Sequence, residues 1–390
     1  MAPAAADVAA VLGDDLLREV FVRLPSPEDL LRAAAACKPF LRAARSDPFL
    51  RRFRRLHPSS CPRLLGCLLL LQHGRRSTPR LVPSCPSSSS SSSSAAGDHG
   101  GDFAFSFLPG GWLGGWLGEA GWKFLDCRNG RVLLKNRGSR ELAVADPIAR
   151  SCVALPAPPA WRAVGYGLVA DSSEFRVVCV SRDASSSALR ALVLSSGELS
   201  WADVAGRLPC QSDLAAPRAM QANRSLYWKL EGGERMVAFS LATMGFSVLE
   251  LPHSLRQLSF DVIEKGEEDG NALHLLTMRG FCVEVWAGAA NVAGGNGIRW
   301  GRVEKTVRFH KVLVRMMEPS VASYQHELDV VGVAAGVVFV RLWDHLFSID
   351  LETMKLTMLR KKDCSEALIY PYTIAWPPSV LHPAGQGQGA

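Results

Sequence analysis

The sequence predicts a multidomain α+β protein, with a small N-terminal helical bundle followed by an all-β, propeller-like domain. Three observations lead to it. Residues 14 to 56 carry apolar positions at helical spacing, broken by proline and capping signals. A run of eight serines, Ser87 to Ser94, then interrupts the chain, and beyond Gly101 the sequence changes to short β-type runs with a recurring layout. At 390 residues the chain exceeds what one hydrophobic core organises, which agrees with more than one domain.

The helical part reads in order. Leu16, Leu17, Val20, Phe21 and Leu24 recur at spacings of three and four and share one broad helix face. Pro25 ends that helix. Ser26-Pro27-Glu28-Asp29 opens a second one, with Ser26 placed to accept a bond from the Asp29 amide and Pro27 suited to the first helical position. That helix should run to about Cys37, where Lys38-Pro39-Phe40 breaks it. A short third segment follows to Arg45, and Asp47-Pro48 opens a last helix through Arg55, with Phe53 and Leu56 turned inward. A bundle of about 45 residues buries little core by itself, so a wide apolar face calls for a partner.

Boundaries follow from composition. The expected division is a disordered stretch at 1–10, the helical bundle at 11–56, a connecting segment at 57–81, a Ser-rich linker or loop at 82–101, the β domain at 102–380 and a disordered stretch at 381–390. Within the connecting segment, Leu64 to Leu71 is apolar and reads either as a helix end or as a strand. It is too short to span a bilayer, and no membrane segment is expected.

In the β part, runs such as Arg131 to Leu134, Glu141 to Ala145, Phe175 to Val180, Leu189 to Leu194, Met236 to Leu241, Phe281 to Trp286, Val337 to Arg341 and Leu346 to Asp350 are bounded by Gly, Pro, Ser and Asp. A repeat emerges when hairpins are aligned. Ala143 to Pro156, Leu192 to Val204, Val237 to Pro252 and Leu346 to Leu359 each read strand, polar turn, strand, and Cys282 to Val307 fits the next interval. A period in the forties suits four-stranded propeller blades, and roughly six of them fit the β region.

Charge and chemistry bound the function. The net charge of +7 is local, because Arg42 to Arg80 holds ten Arg against the single acid Asp47 and the remainder is slightly acidic. The stripe Arg51-Arg52-Phe53-Arg54-Arg55 reads as a solvated helix face rather than a nucleic-acid site, since no interleaved aromatics or groove-reading element accompany it. The ten Cys are scattered without a C-x-x-C pair and read as buried thiols. The ten Trp, Trp112, Trp116 and Trp343 among them, read as core fillers. Trp343-Asp344 is a lone pair without the rest of a propeller signature. His326-Glu327 lacks a second His, and Gly294-Gly295-Asn296-Gly297 lacks a following helix for a phosphate. No cofactor, metal or catalytic residue is expected.

The N-terminal segments resemble a known family. Leu12-Gly13-Asp14-Asp15-Leu16-Leu17, Val20-Phe21-Val22-Arg23-Leu24-Pro25, Asp29-Leu30-Leu31-Arg32-Ala33, Cys37-Lys38 and Asp47-Pro48-Phe49 resemble the F-box in the form common among plant F-box proteins. Leu125 to Leu134, Asp146-Pro147 with Leu155-Pro156, and Leu226-Tyr227-Trp228 are similar to the β domain that accompanies the F-box in grasses. Gly13 and Phe40 depart from the usual Pro and Trp. The resemblance implies a substrate-receptor subunit of an SCF-type, cullin-RING ubiquitin ligase. Its F-box would bind a Skp-family adaptor and, through it, a cullin, and its β domain would hold a target protein of unknown identity. Catalysis would belong to other subunits, and residence would be nuclear or cytoplasmic. Leu12, Leu16, Leu17, Val20, Leu24, Pro25, Leu30 and Leu31 are the candidate adaptor-binding or helix-packing residues on this reading. The alternatives are a nucleic-acid-binding or scaffold protein using the Arg-rich 42–80 stripe, and a propeller enzyme or sugar-binding module.

Overall fold

The computed structural model describes residues 5–25, 27–57, 63–71, 79–84, 101–110, 121–160, 162–171, 174–183, 186–263, 272–290, 298–309 and 328–375, with the single positions 313, 377 and 381. Ser26, the Ser87 to Ser94 run, Trp112, Trp116, Gly294 to Gly297 and His326-Glu327 lie outside them.

Four helices come first: α1 (Ala5–Phe21), α2 (Pro27–Ala36), α3 (Lys38–Ala44) and α4 (Asp47–Leu56). α1 starts inside the stretch expected to be disordered, and its backbone departs from helical values at Gly13, with φ 67° and ψ 165°. Proline occupies the first turn of α3 and of α4, where its missing N–H leaves no intrahelical bond unmade. The N-cap of α4 is Ser46, whose side chain makes no capping bond. Leu17, Phe21, Leu30, Phe49 and Phe53 form the buried centre of the bundle. Phe40 supplies an aromatic edge, its ring centroid 5.3 Å from that of Phe21. Asp14–Arg42 and Glu19–Arg52 ion pairs tie α1 to α3 and α4. Both pairs are solvent-exposed and contribute little to stability. Leu56, expected inward, is 58% exposed, whereas Phe53 is fully buried.

The described strands form a six-bladed propeller of antiparallel sheets. Blade 1 is β3 (Trp122–Arg128), β4 (Arg131–Asn136), β5 (Leu142–Asp146) and β6 (Ser151–Leu155), and blade 2 is β7 (Arg162–Ala170), β8 (Phe175–Arg182), β9 (Leu189–Ser195) and β10 (Trp201–Leu208). Blade 3 is β11 (Met220–Ala222), β12 (Ser225–Lys229), β13 (Arg235–Ser240) and β14 (Gly245–Glu250). Blade 4 is β15 (Phe260–Ile263), β16 (Leu273–Arg279), β17 (Cys282–Ala290) and β18 (Ile298–Arg308), and blade 5 is β19 (Asp329–Ala334), β20 (Val337–Leu342), β21 (His345–Asp350) and β22 (Leu356–Arg360).

Blade 6 closes the ring from both ends of the chain. Its inner strand is β23 (Leu368–Ile374), and its other two are β1 (Arg63–Leu70) and β2 (Arg80–Pro83), in the order β2-β1-β23. The described residues of the expected connecting segment 57–81 are therefore mostly propeller strand, and the β domain begins before the Ser-rich run. The expected disorder at 381–390 also needs correction at its first residue, because Leu381 is fully buried in the helical bundle.

Apolar clusters occupy the interfaces between successive blades around the whole ring. All eight strand runs predicted from sequence fall on strands, and the aligned hairpins are the third and fourth strands of blades 1 to 5. The bundle rests on the propeller through Leu31, which packs against both the bundle core and the cluster between blades 6 and 1.

Candidate functional site

The helical bundle sorts the eight candidate residues by burial. Leu17 and Leu30 are buried at 2% and 0% and belong to the core. Leu12 and Leu24 are partly buried against that core, and Leu31 bridges to the propeller. Leu16 at 56% exposure, Val20 at 50% and the exposed Pro25 face solvent. Leu16 and Val20 lie four residues apart and so share one face of α1. On α4, Arg51, Arg54 and Arg55 are exposed and Phe53 points inward, so the Arg stripe presents charge without an aromatic.

A second site lies on the propeller axis, and the sequence reading did not find it. Asp126 on β3 is completely buried. Its Oδ1 accepts from the Cys127 amide at 2.8 Å, and its Oδ2 accepts from the Leu168 amide of β7 at 2.9 Å. Asp261 on β15 repeats this arrangement, accepting from the Val262 amide at 2.8 Å and from the Val333 amide of β19 at 2.9 Å. Each carboxylate thus stitches its blade to the next, and in a ring of six, blades 1 and 4 stand on opposite sides of the axis.

Two arginines lie among these carboxylates. Arg218, just before β11, has its Nε 3.6 Å from Asp126 Oδ1, donates to the Val331 carbonyl at 3.4 Å and stacks over the Tyr370 ring at 5.0 Å. Arg128 donates to the Ala219 carbonyl at 2.9 Å and lies 3.8 Å from Asp126 Oδ1. Burial pushes the Asp261 carboxyl up, against the lowering effect of Arg218 and Arg128. Burial also pushes the Cys127 thiol far up, so it stays protonated at neutral pH and is a poor nucleophile.

Beside this network is a cavity of about 640 Å³, at the end of the axis where the inner strands finish. Arg128, Asn129, Gln221 and Thr373 supply its polar wall, and residues such as Val283, Val285 and Met354 its apolar one. Its size and mixed lining suit a binding site. The lining offers a cation, amides and an apolar wall to a bound group.

Further repeated contacts join neighbouring blades. Asn129 and Asn223, both at positive φ, donate side-chain amides to carbonyls of the following blade, Ala170 and Ala272, at 2.6 and 3.2 Å. Trp201 and Trp300 donate to the Pro156 and Glu250 carbonyls of the preceding blade's edge. Trp343 departs from the expected core role: it sits in a turn at 40% exposure, while Asp344 beside it accepts from the Cys364 and Ser365 amides. The available sequence signal for the axial acids was one Asp inside an otherwise apolar strand, Phe124-Leu125-Asp126-Cys127 and Phe260-Asp261-Val262-Ile263.

Among solved structures, the chain is similar to a chain in a crystal structure of a nidogen/laminin complex, at 11% identity and a TM-score of 0.39, over 78% of this chain and 97% of that one. It is also similar to YCF48 from Cyanidioschyzon merolae, at 8% identity and a TM-score of 0.35, over 65% of this chain and 83% of that one. Likeness of this size carries no argument. No curated protein matches. The family described as F-box protein AT5G49610-like, beta-propeller, matches residues 123–380, from the second residue of β3 through every later strand. The match covers well over half of the 390 residues, and the chain belongs to the F-box protein AT5G49610-like β-propeller family.

Proposed function

We propose that this chain is the substrate-receptor subunit of an SCF-type ubiquitin ligase. The helical bundle binds a Skp-family adaptor and through it a cullin, and the propeller holds the protein to be modified, with the axial cavity as the candidate place. The chain contributes binding and position rather than bond chemistry, and it works in the nucleus or cytoplasm. The observation that carries the reading is the pair Leu16 and Val20, half-exposed on one face of α1 in a bundle joined to a propeller of an F-box protein family. An apolar face left open on so small a unit is what a partner would cover.

The test is capture of a purified Skp-family adaptor by the full chain and by a Leu16→Asp/Val20→Asp variant. Both sites are half-exposed, so the variant keeps its core; Leu24 is unsuitable because it packs inward. With each anchor contributing on the order of 1 kcal/mol or more, the variant should bind about 30-fold more weakly or worse. No capture by the unmodified chain would sink the function, and normal capture by the variant would sink the assigned face.

A further inference from the structure

Leu381 is fully buried, and it is buried in the helical bundle rather than in the propeller. Every other buried member of that core lies between Leu17 and Phe53. The bundle core is thus completed by a side chain from the far end of the sequence. The connection is short, because Leu381 follows Ile374, the last residue of β23, by seven positions. Seven residues reach at most about 25 Å when fully extended. Ile374 itself pairs with Arg63, the first residue of β1, so the chain leaves the propeller beside the place where it came in from the helices.

The geometry also says which role Leu381 plays. It shares one buried cluster with Leu17, Phe21, Leu30 and Phe53, the inward residues of the helices, while Leu16 and Val20 remain half-exposed. It belongs to the core and leaves that outer face open. A bundle this small has little core, and Leu381 is one of the eleven buried residues of its cluster.

We infer that Leu381 is a built-in ligand of the helical bundle, completing the core of the unit that carries the Leu16–Val20 face. The docking surface is then complete only in a chain whose propeller has closed through β1 and β23, which couples closure of the receptor ring to adaptor binding. The second half of this inference rests on the proposed adaptor role; the packing half does not.

Two readouts on the full chain separate them: amide hydrogen exchange, which needs no adaptor, and capture of a purified Skp-family adaptor. Leu381→Asp should lower protection of α1 and α4 by about tenfold or more while the β15 to β21 amides keep theirs, and should weaken capture by a similar factor. Leu381→Met, which keeps volume and apolarity, should retain both. Unchanged α1 and α4 protection in Leu381→Asp would overturn the packing. Lost protection with unchanged capture would overturn the coupling. Stronger capture by Leu381→Asp would overturn it too, by making the segment a competitor of the adaptor. Lost protection in a chain that never binds adaptor would support the packing and count against the adaptor role alone.

Discussion

Asp126 and Asp261 occupy positions where an isolated ion would be costly, and the two amides each accepts explain how they are tolerated there. Hydrogen bonds to a charged acceptor are worth about 1.5–3 kcal/mol each, and removing the acceptor leaves buried donors unpaired. Asp126→Ala would also strip Arg128 and Arg218 of their nearest carboxylate. The expected loss is about 3–5 kcal/mol, read as a lower urea midpoint by tryptophan fluorescence. Asp126→Asn keeps one carbonyl oxygen but turns an NH₂ toward the other amide, so it should fall between. An Asn variant as stable as the natural chain would remove the two-oxygen account. At this scale the sequence was partly legible. Leu16 and Leu17 are equally apolar neighbours about 100° apart on a helix, and only packing decides that one is exposed and the other buried. The axial acids were harder still, because one partner of each is an amide of the next blade, which no local pattern encodes.

Among the elements, the most legible were those whose signal is local. In blades 1, 3 and 5 the side chain of the last residue of the third strand closes the turn to the fourth. Asp146 accepts from the Ile148 and Ala149 amides at 3.0 and 2.9 Å, Ser240 from Thr243 at 3.2 Å, and Asp350 from Glu352 and Thr353 at 3.1 and 2.7 Å. These are side-chain turns of the Asx and Ser type. The eight predicted runs are all second or third strands, which pair on both sides and read as continuous apolar stretches. Two inner strands carry glycine where space is tight: a Cβ on Gly332 of β19 would meet the Pro371 ring at 2.7 Å, and one on Gly165 of β7 would meet the Leu214 side chain at 2.7 Å. Glycine depresses any strand signal. β1 was ambiguous since its partner β23 lies at the other end of the sequence. The Asp350 turn gives a pH test. Bonds from the Thr353 amide and hydroxyl hold its carboxyl below the usual range. The stability it adds is present above the ordinary aspartate value and is lost as pH falls through its lowered one. Asp350→Ala should lower Tm by about 2–4 °C at pH 7, and the gap should close on acidification. A gap that stays constant down to strongly acid pH would mean the carboxylate is not what holds the turn.

For the whole molecule, the decisive contact is the ladder between β1 and β23, since it builds the sixth blade from two distant parts of the sequence. It runs from Arg63↔Ile374 to Leu70↔Leu368 and carries an irregularity between Leu64 and Gly66. Gly66 has φ +156°, and a Cβ there would come within 2.0 Å of the Val82 carbonyl oxygen, a backbone atom of β2. No rotamer change relieves that overlap, so Gly66→Ala must displace β2 or shift the ladder. The clusters on either side of blade 6 would then lose their packing, whereas those between blades 2, 3 and 4 have no direct contact with the change. A seam of this kind should open before the ring does. Hydrogen exchange on Gly66→Ala should show protection falling first in β1, β2 and β23, with β12, β13 and β16 following only at global unfolding. Equal loss around all six blades would show instead that the ring unfolds as one unit and that closure is no weaker than any other interface. If the seam opens first, α1 and α4 should lose protection with it, because Leu381 is delivered to them by the same strand that closes the ring.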